Sequence, residues 1–162
     1  MRIYLFRHGI AADPGVFSKD SDRPLTEEGM KKTRQAAEGL KTLGIRPGAF
    51  FSSPYLRARQ TAEIAAAVLD FPKKKILELA PLMPHGEPED VLAELSKTSE
   101  EEILCAGHAP NLDRVLARAV GKTGGSFTEL KKAGCACIEK EKSFPGRLLW
   151  LLEAGTLREL AR

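Results

Sequence analysis

A short apolar run that ends in an arginine and a histidine constrains the fold most. Residues 3–6 are Ile, Tyr, Leu and Phe, and they lead directly into Arg7, His8 and Gly9. An unbroken apolar run of this length is typical of a strand buried in a parallel sheet. Such strands point their C-terminal ends into the crevice where open α/β sheets bind ligands. We therefore expect a catalytic imidazole beside a phosphate-binding guanidinium, with Gly9 allowing a sharp turn.

A second apolar segment, residues 48–52, is followed by another basic group. Ser53 is predicted to cap a helix whose first residue is Pro54. Arg57 then falls in the first turn, so its guanidinium and the positive end of the helix dipole face the same crevice. Arg59 lies roughly 200° further around the helix and is expected to be solvated.

A third apolar run, residues 102–107, ends in Gly107 and His108 and is followed by a helix with apolar residues at i, i+3, i+4, i+7 and i+8. His108 thus takes the same place after its strand as His8. Two histidines and two arginines at three strand ends are explained together by a phosphoryl group, whose anionic oxygens need several donors. If these four side chains had structural roles instead, each of them would need a buried partner of its own.

These segments resemble the sequence blocks of the histidine phosphatase superfamily, which has the phosphoglycerate mutase-like fold. The resemblance covers residues 1–120. The short length of the chain and its Gly-His-x-Pro-x-Leu block are similar to those of the phosphohistidine phosphatase (SixA) branch. It implies that the catalytic positions are Arg7, His8, Arg57 and His108. It also places Arg23 in a block near the site, as a substrate-binding candidate.

Strand and helix patterns alternate along the chain. Strands are predicted at 2–7, 48–52, 75–79 and 102–107, and helices at 27–43, 54–69, 88–97 and 110–120. This order predicts a three-layer α/β/α sandwich with a mainly parallel open sheet. Residues 134–140 and 147–153 predict an antiparallel hairpin at the sheet edge, followed by a short helix from Thr156. We expect residues 1–162 to form a single domain.

Composition favours a cytoplasmic enzyme. The net charge of +3 is small, and no basic stripe with interleaved aromatic residues indicates nucleic-acid binding. Neither a signal peptide nor an apolar run of about 20 residues is present, so no membrane association is expected. Cys105, Cys135 and Cys137 predict buried thiols rather than disulfides. The spacing of cysteines and histidines does not suit zinc, and we expect no metal or other cofactor.

Phosphoryl transfer to His8 needs a neutral imidazole, which is the main form near neutral pH. One ring nitrogen attacks phosphorus while the other donates its proton to a fixed acceptor, which we expect to be a backbone carbonyl in the Gly9 turn. Arg7, Arg57 and His108 would hold the phosphoryl oxygens. Water then hydrolyses phosphorylated His8, without a metal ion.

The choice of substrate depends on the leaving group. Mutase-like relatives carry a general acid between the arginine block and the second histidine, but here only 50 residues lie between Arg57 and His108. Glu78 is a candidate acid and His85 is either an exposed loop residue or part of the pocket rim. Hydrolysis of phosphohistidine depends less on a general acid than hydrolysis of a phosphate ester does.

The resemblance to the phosphohistidine phosphatase branch therefore implies a phosphatase that acts on a histidine-containing phosphotransfer protein. The main alternative is a small-molecule phosphomonoesterase with the same site. A phosphate-binding module without activity would not require His8, and a mutase would need a lid that excludes water.

Overall fold

Four parallel strands form the first part of the sheet in the computed structural model, which describes residues 1–162. They are β1 (Arg2–Arg7), β2 (Ala49–Ser52), β3 (Leu77–Glu78) and β4 (Glu102–Gly107). Two antiparallel strands, β5 (Cys135–Glu139) and β6 (Arg147–Leu152), complete it in the order β3-β2-β4-β1-β5-β6. The mainly parallel sheet with a C-terminal edge hairpin is thus confirmed.

Five helices cover the two faces of the sheet. They are α1 (Glu27–Thr42), α2 (Leu56–Val68), α3 (Pro88–Leu95), α4 (Asn111–Ala119) and α5 (Ala154–Leu160). Side chains of β1 alternate between the faces: Tyr4 and Phe6 pack with α1, α2 and α5, while Ile3 and Leu5 pack with α3 and α4. The three-layer α/β/α sandwich is confirmed.

The register of the central strands brings the predicted site residues to one edge. In the parallel pair of β1 and β4, Arg7 lies opposite Gly107, and in the pair of β2 and β4, Ser52 lies opposite Ala106. All three strands therefore end at the same level, and the residues that follow them meet there.

Several predicted boundaries were wrong. Helix α3 ends at Leu95 rather than at residue 97, and α5 begins at Ala154 rather than at Thr156. Helix α2 begins at Leu56 with Tyr55 at its N-cap, instead of at Pro54 after Ser53. The Ser53 hydroxyl instead accepts a hydrogen bond from the Tyr55 N–H at 3.3 Å, in a turn before the helix. The strand expected at 75–79 is reduced to two residues, because the 3₁₀ turn at 73–75 includes its first residue and Leu79 is the N-cap of a second 3₁₀ turn at 80–82.

The remaining sequence predictions concern cysteines and membranes. All three cysteines are free and buried, as expected. None of the helices has both the length and the apolar character needed to cross a lipid bilayer.

Candidate active site

The His8 ring is held in one tautomer. Its Nδ1 lies 2.7 Å from the Gly9 carbonyl oxygen, which can only accept, so Nδ1 carries the proton. The other nitrogen, Nε2, accepts a hydrogen bond from Arg57 Nε at 3.3 Å. The sequence-based expectation of a carbonyl acceptor in the Gly9 turn therefore matches the geometry. The lone pair on Nε2 faces the buried Arg57 guanidinium.

Burial keeps His8 neutral. The ring is 7% exposed, and this desolvation lowers its pKa to about 3, against the opposing effect of the Gly9 hydrogen bond. The positive charges of Arg57 and Arg7 lower the pKa further. An unprotonated imidazole is the form that a nucleophile requires.

The turn after His8 is locked by helix α2. The Gly9 N–H donates to Thr61 Oγ1 at 3.1 Å, and the Thr61 hydroxyl donates to the Arg57 carbonyl at 2.8 Å. A Cβ atom on residue 9 would overlap Thr33 Oγ1, so only glycine fits there. The same helix therefore supplies Arg57 and fixes the acceptor that orients His8.

His108 lies beside His8, with 5.0 Å between the ring centroids. Its Nε2 shares a hydrogen bond of 2.9 Å with the Ser53 hydroxyl, and the Tyr55 ring packs edge-on against it. Burial lowers the pKa of His108 to about 2, with smaller contributions from His8 and Arg57, so this ring is also neutral. Its Nδ1 is buried and has no hydrogen-bond partner.

Arg57 is 5% exposed and donates hydrogen bonds in three directions. Besides Nε to His8, its Nη1 donates to the Asp20 carbonyl at 2.7 Å and its Nη2 to Asp20 Oδ2 at 2.9 Å. The guanidinium also packs against the Tyr55 ring, 5.2 Å from the centroid. Sequence reasoning missed Asp20. The only signal was its position three residues before Arg23.

Arg7 is fixed on the other side of the site through helix α4. Its Nη1 donates to the Leu130 carbonyl at 2.7 Å. Asp113, buried on α4, accepts hydrogen bonds from the Leu130 N–H and the Thr128 hydroxyl, both at 2.8 Å. The charge of Arg7 lies close enough to lower the pKa of His8, and its Nε is buried without a partner.

Comparison with known proteins identifies the family. The family model for the histidine phosphatase superfamily (branch 1) matches residues 3–80. An uncharacterized protein of Picosynechococcus is 41% identical over 138 residues, 83% of this chain and 82% of that protein. Phosphohistidine phosphatase SixA of Escherichia coli is 29% identical over 161 residues, 98% of this chain and 97% of SixA. The chain belongs to the histidine phosphatase superfamily.

The solved structures agree with this assignment. The structure of the protein histidine phosphatase SixA complexed with tungstate has a TM-score of 0.88 to this chain at 28% identity. The match covers 97% of this chain and 99% of that chain. This histidine phosphatase therefore shares the phosphoglycerate mutase-like fold over its length.

Arg23, the predicted substrate-binding residue, does not contact either histidine. Its Nη1 donates to Asp20 Oδ1 at 2.7 Å, and its Nε donates to the Ala12 carbonyl at 2.8 Å. Arg23 is therefore linked to Arg57 through the carboxylate of Asp20, which lies between the two guanidinium groups.

Glu78 and His85 are not brought into contact with the four predicted catalytic residues. Glu78 is half-exposed at the end of β3, and its carboxylate pairs with Arg59. Arg59 also lies 3.8 Å from Glu63, so it points away from His8, as expected. His85 is exposed on the loop after β3. The loop is tied to α4 by Asn111 Nδ2, which donates to the carbonyls of residues 81 and 83.

A basic cavity of about 490 Å³ opens beside Arg7. Its charged lining consists of Arg7, Lys32, Lys131, Lys132 and Arg158, and Lys131 pairs with the exposed carboxylate of Glu129 at 2.6 Å. Lys132 is near enough to lower the pKa of His8. The surface next to the site thus attracts anions. The chain has no group of three or more His, Cys, Asp or Glu side chains placed to hold a metal ion.

Proposed function

We propose that this protein removes the phosphoryl group from a phosphohistidine on another protein, through a covalent intermediate on His8. The observation that carries the proposal is the fixed tautomer of His8. Nδ1 is committed to the Gly9 carbonyl, and the unprotonated Nε2 faces Arg57 with His108 alongside. This is the arrangement that a histidine nucleophile needs.

In the first step, Nε2 of His8 attacks phosphorus and forms a P–N bond. The bond between phosphorus and the substrate's imidazole nitrogen breaks, and its electron pair stays on that nitrogen. Because the other ring nitrogen of the substrate carries a proton, the imidazole leaves as a neutral molecule. The hydrogen bond from Arg57 Nε to His8 is replaced by bonds to phosphoryl oxygens. Arg57, Arg7 and His108 then stabilise the charge on these oxygens in the transition state.

In the second step, water attacks phosphorylated His8. The new oxygen becomes part of inorganic phosphate, its proton goes to the solvent, and the electron pair of the P–N bond returns to His8 Nε2. No metal ion is required in this scheme, because the imidazole is already unprotonated and the arginines supply the positive charge.

The acid chemistry of the site favours phosphohistidine over phosphate esters. Asp20 is the carboxylate in contact with Arg57, and hydrogen bonds from Arg23 and Arg57 lower its pKa, so it is ionised and cannot donate a proton. Glu78 is held by Arg59. An alkoxide leaving group needs a general acid, whereas a protonated imidazole leaves more easily. The basic cavity beside Arg7 would suit a protein substrate with acidic residues around its phosphohistidine.

One observation favours a small-molecule phosphomonoesterase instead. His8 and His108 are 7% and 1% exposed, so a compact ester reaches them more readily than a side chain on a protein surface. The two functions differ in kcat/KM for a phosphohistidine protein and for sugar phosphates. Our proposal requires a preference for the protein of at least about 100-fold, the usual contribution of the missing acid. Faster hydrolysis of sugar phosphates would favour the esterase.

Trapping the intermediate tests the mechanism. Rapid quenching during turnover of a labelled phosphohistidine protein is expected to give a phosphoenzyme that is labile in acid and stable in base. His8→Ala should abolish the label. His85→Ala removes the one histidine outside the site and should leave the label in place. An acid-stable label, or a label that persists in His8→Ala, would contradict the proposal.

A further inference from the structure

The carboxylate of Asp20 lies between two arginines at the site. Its Oδ2 accepts from Arg57 Nη2 at 2.9 Å and its Oδ1 accepts from Arg23 Nη1 at 2.7 Å. The Asp20 carbonyl adds a third contact, to Arg57 Nη1 at 2.7 Å. Guanidinium groups make the same charge-assisted hydrogen bonds to phosphoryl oxygens. Asp20 therefore uses donors that a bound phosphoryl group would also use.

Asp20 belongs to a peripheral segment, residues 13–22, that contributes nothing to the core. None of its residues is buried, and Val16 is 74% exposed. By contrast, Arg57 is 5% exposed and His8 is 7% exposed. A segment with no buried apolar side chains opens with little loss of free energy. Its hydrogen bonds to Arg57 and Arg23 are what hold Asp20 over the site.

We propose that Asp20 is a built-in competitor of the phosphoryl group, which occupies Arg57 and Arg23 in the free enzyme and is displaced when substrate binds. This inference rests on the proposed function, because it assumes that phosphoryl oxygens bind Arg57. The geometry requires competition: a phosphoryl group on His8 Nε2 lies against the guanidinium that Asp20 also contacts, and two anions repel each other there. A phosphoryl dianion with three acceptor oxygens displaces a half-exposed monoanion.

Displacement has two consequences for turnover. Every anion that enters must first displace Asp20. The apparent affinity for the anion is therefore its intrinsic affinity multiplied by the fraction of enzyme in which Asp20 has left Arg57. The competitor acts equally on substrate and on product, so its return helps to release inorganic phosphate. Because Arg23 and Arg57 lower the pKa of Asp20, it remains a competing anion at neutral pH.

A different role for Asp20 predicts the opposite result. If Asp20 stays on Arg57 in the complex and merely positions the guanidinium, its loss weakens anion binding. Asp20→Asn separates the two roles, because it removes the charge and nearly keeps the shape. Asp22→Asn is the matched control: Asp22 lies in the same 3₁₀ turn, and its Oδ1 accepts from the Ser21 hydroxyl.

Calorimetric titration of the full chain with tungstate tests the proposal. We expect Asp20→Asn to bind tungstate about twofold to fivefold more tightly than the wild type, the range for a charge pair at a partly exposed site. Asp22→Asn should bind like the wild type. Equal or weaker binding by Asp20→Asn, with binding retained in the wild type, overturns this inference alone. If none of the three proteins binds tungstate, both the inference about Asp20 and the proposed function are contradicted.

Steady-state kinetics gives a second readout. Asp20→Asn should lower KM for the phosphohistidine protein and the inhibition constant of inorganic phosphate by the same factor, without raising kcat. If Asp20 only positioned Arg57, both constants would rise instead. Circular dichroism of Asp20→Asn and Asp20→Ala checks that both variants are folded. A rise in KM in both folded variants would overturn the proposal.

Discussion

At the scale of single residues, the environment of each imidazole fixes its chemistry. His8 and His108 are ordinary histidines by sequence, yet burial lowers the pKa of His8 to about 3 and that of His108 to about 2. The burial that keeps His8, the proposed nucleophile, unprotonated also opposes its protonation in acid. The site therefore links activity to the pH dependence of stability.

We expect the free energy of unfolding to fall between pH 7 and pH 5. Histidines of the unfolded chain take up protons near pH 6.5, whereas buried His108 stays neutral until about pH 2. Within this window the unfolded state binds more protons, so stability decreases as the pH falls. At pH 5 the loss is about 2 kcal/mol for one such histidine. In urea titrations at both pH values, His108→Gln should show a smaller decrease, and an identical decrease would contradict the assignment.

Asp113 is expected to act on catalysis through Arg7. Asp113→Ala leaves the buried Leu130 N–H without its acceptor, at a cost of about 1–3 kcal/mol, and frees the carbonyl that orients Arg7. We expect kcat/KM to fall about 10-fold to 100-fold. Asp113→Asn keeps an acceptor oxygen and should recover most of the activity. Thr128→Val removes only one of the two hydrogen bonds and should have a smaller effect. A loss of stability without a loss of kcat/KM would contradict this role.

Hydrophobic patterns in the sequence predicted those site residues that directly follow a strand or begin a helix. His8, His108 and Arg57 each come directly after an apolar strand or at the start of a helix, so their convergence could be predicted. Asp20 lies in a segment without apolar periodicity, and its partner Arg57 is 37 residues away along the chain. A contact of this kind depends on the path of a surface segment, which local patterns do not specify.

At the scale of elements, hydrophobic periodicity predicted the type of each helix and strand better than its ends. Helix α2 starts at Leu56 with Tyr55 at its N-cap, and the Ser53 hydroxyl is engaged with both the Tyr55 N–H and His108. The sequence shows a good capping residue, but it does not show the tertiary partners that compete for the hydroxyl.

Helix α1 packs so closely on α5 that glycine is required between them. A Cβ atom at Gly39 would overlap the Leu157 carbonyl, whereas one at Gly155 would have only Arg158 Nη2 nearby, at 3.9 Å. We expect Gly39→Ala to lower the free energy of unfolding by about 1–3 kcal/mol through overpacking. Gly155→Ala, also in a helix, should be neutral or stabilising by up to about 1 kcal/mol. Urea denaturation of both variants checks this, and equal stabilities would contradict the close packing.

At the scale of the whole molecule, the strand order decides which residues meet. β4 lies between β1 and β2, although it comes later in the chain than both. This order places His108 next to His8 and Ser53. Alternation of strands and helices predicts a parallel sheet whose strand ends meet at one edge, but several strand orders satisfy it, so the order itself could not be predicted from the sequence.

The distribution of charge predicts how a protein substrate approaches. Lys131 and Lys132 line the basic cavity beside Arg7, whereas Lys73 and Lys74 are exposed in the turn before β3, at the other end of the sheet. The double variant K131E/K132E should raise KM for a phosphohistidine protein by roughly fivefold or more, and the increase should shrink at high salt.

The control variant K73E/K74E changes the net charge equally and should leave KM within about twofold of the wild type. A small phosphoramidate does not extend into the basic cavity, so its KM should respond less to K131E/K132E than that of the protein. The two KM values, measured at low and high salt, separate an effect on docking from a general effect of charge on His8. If both substrates lose affinity to the same extent, the cavity does not bind the protein partner, and its lysines act only through the electrostatic potential of the site.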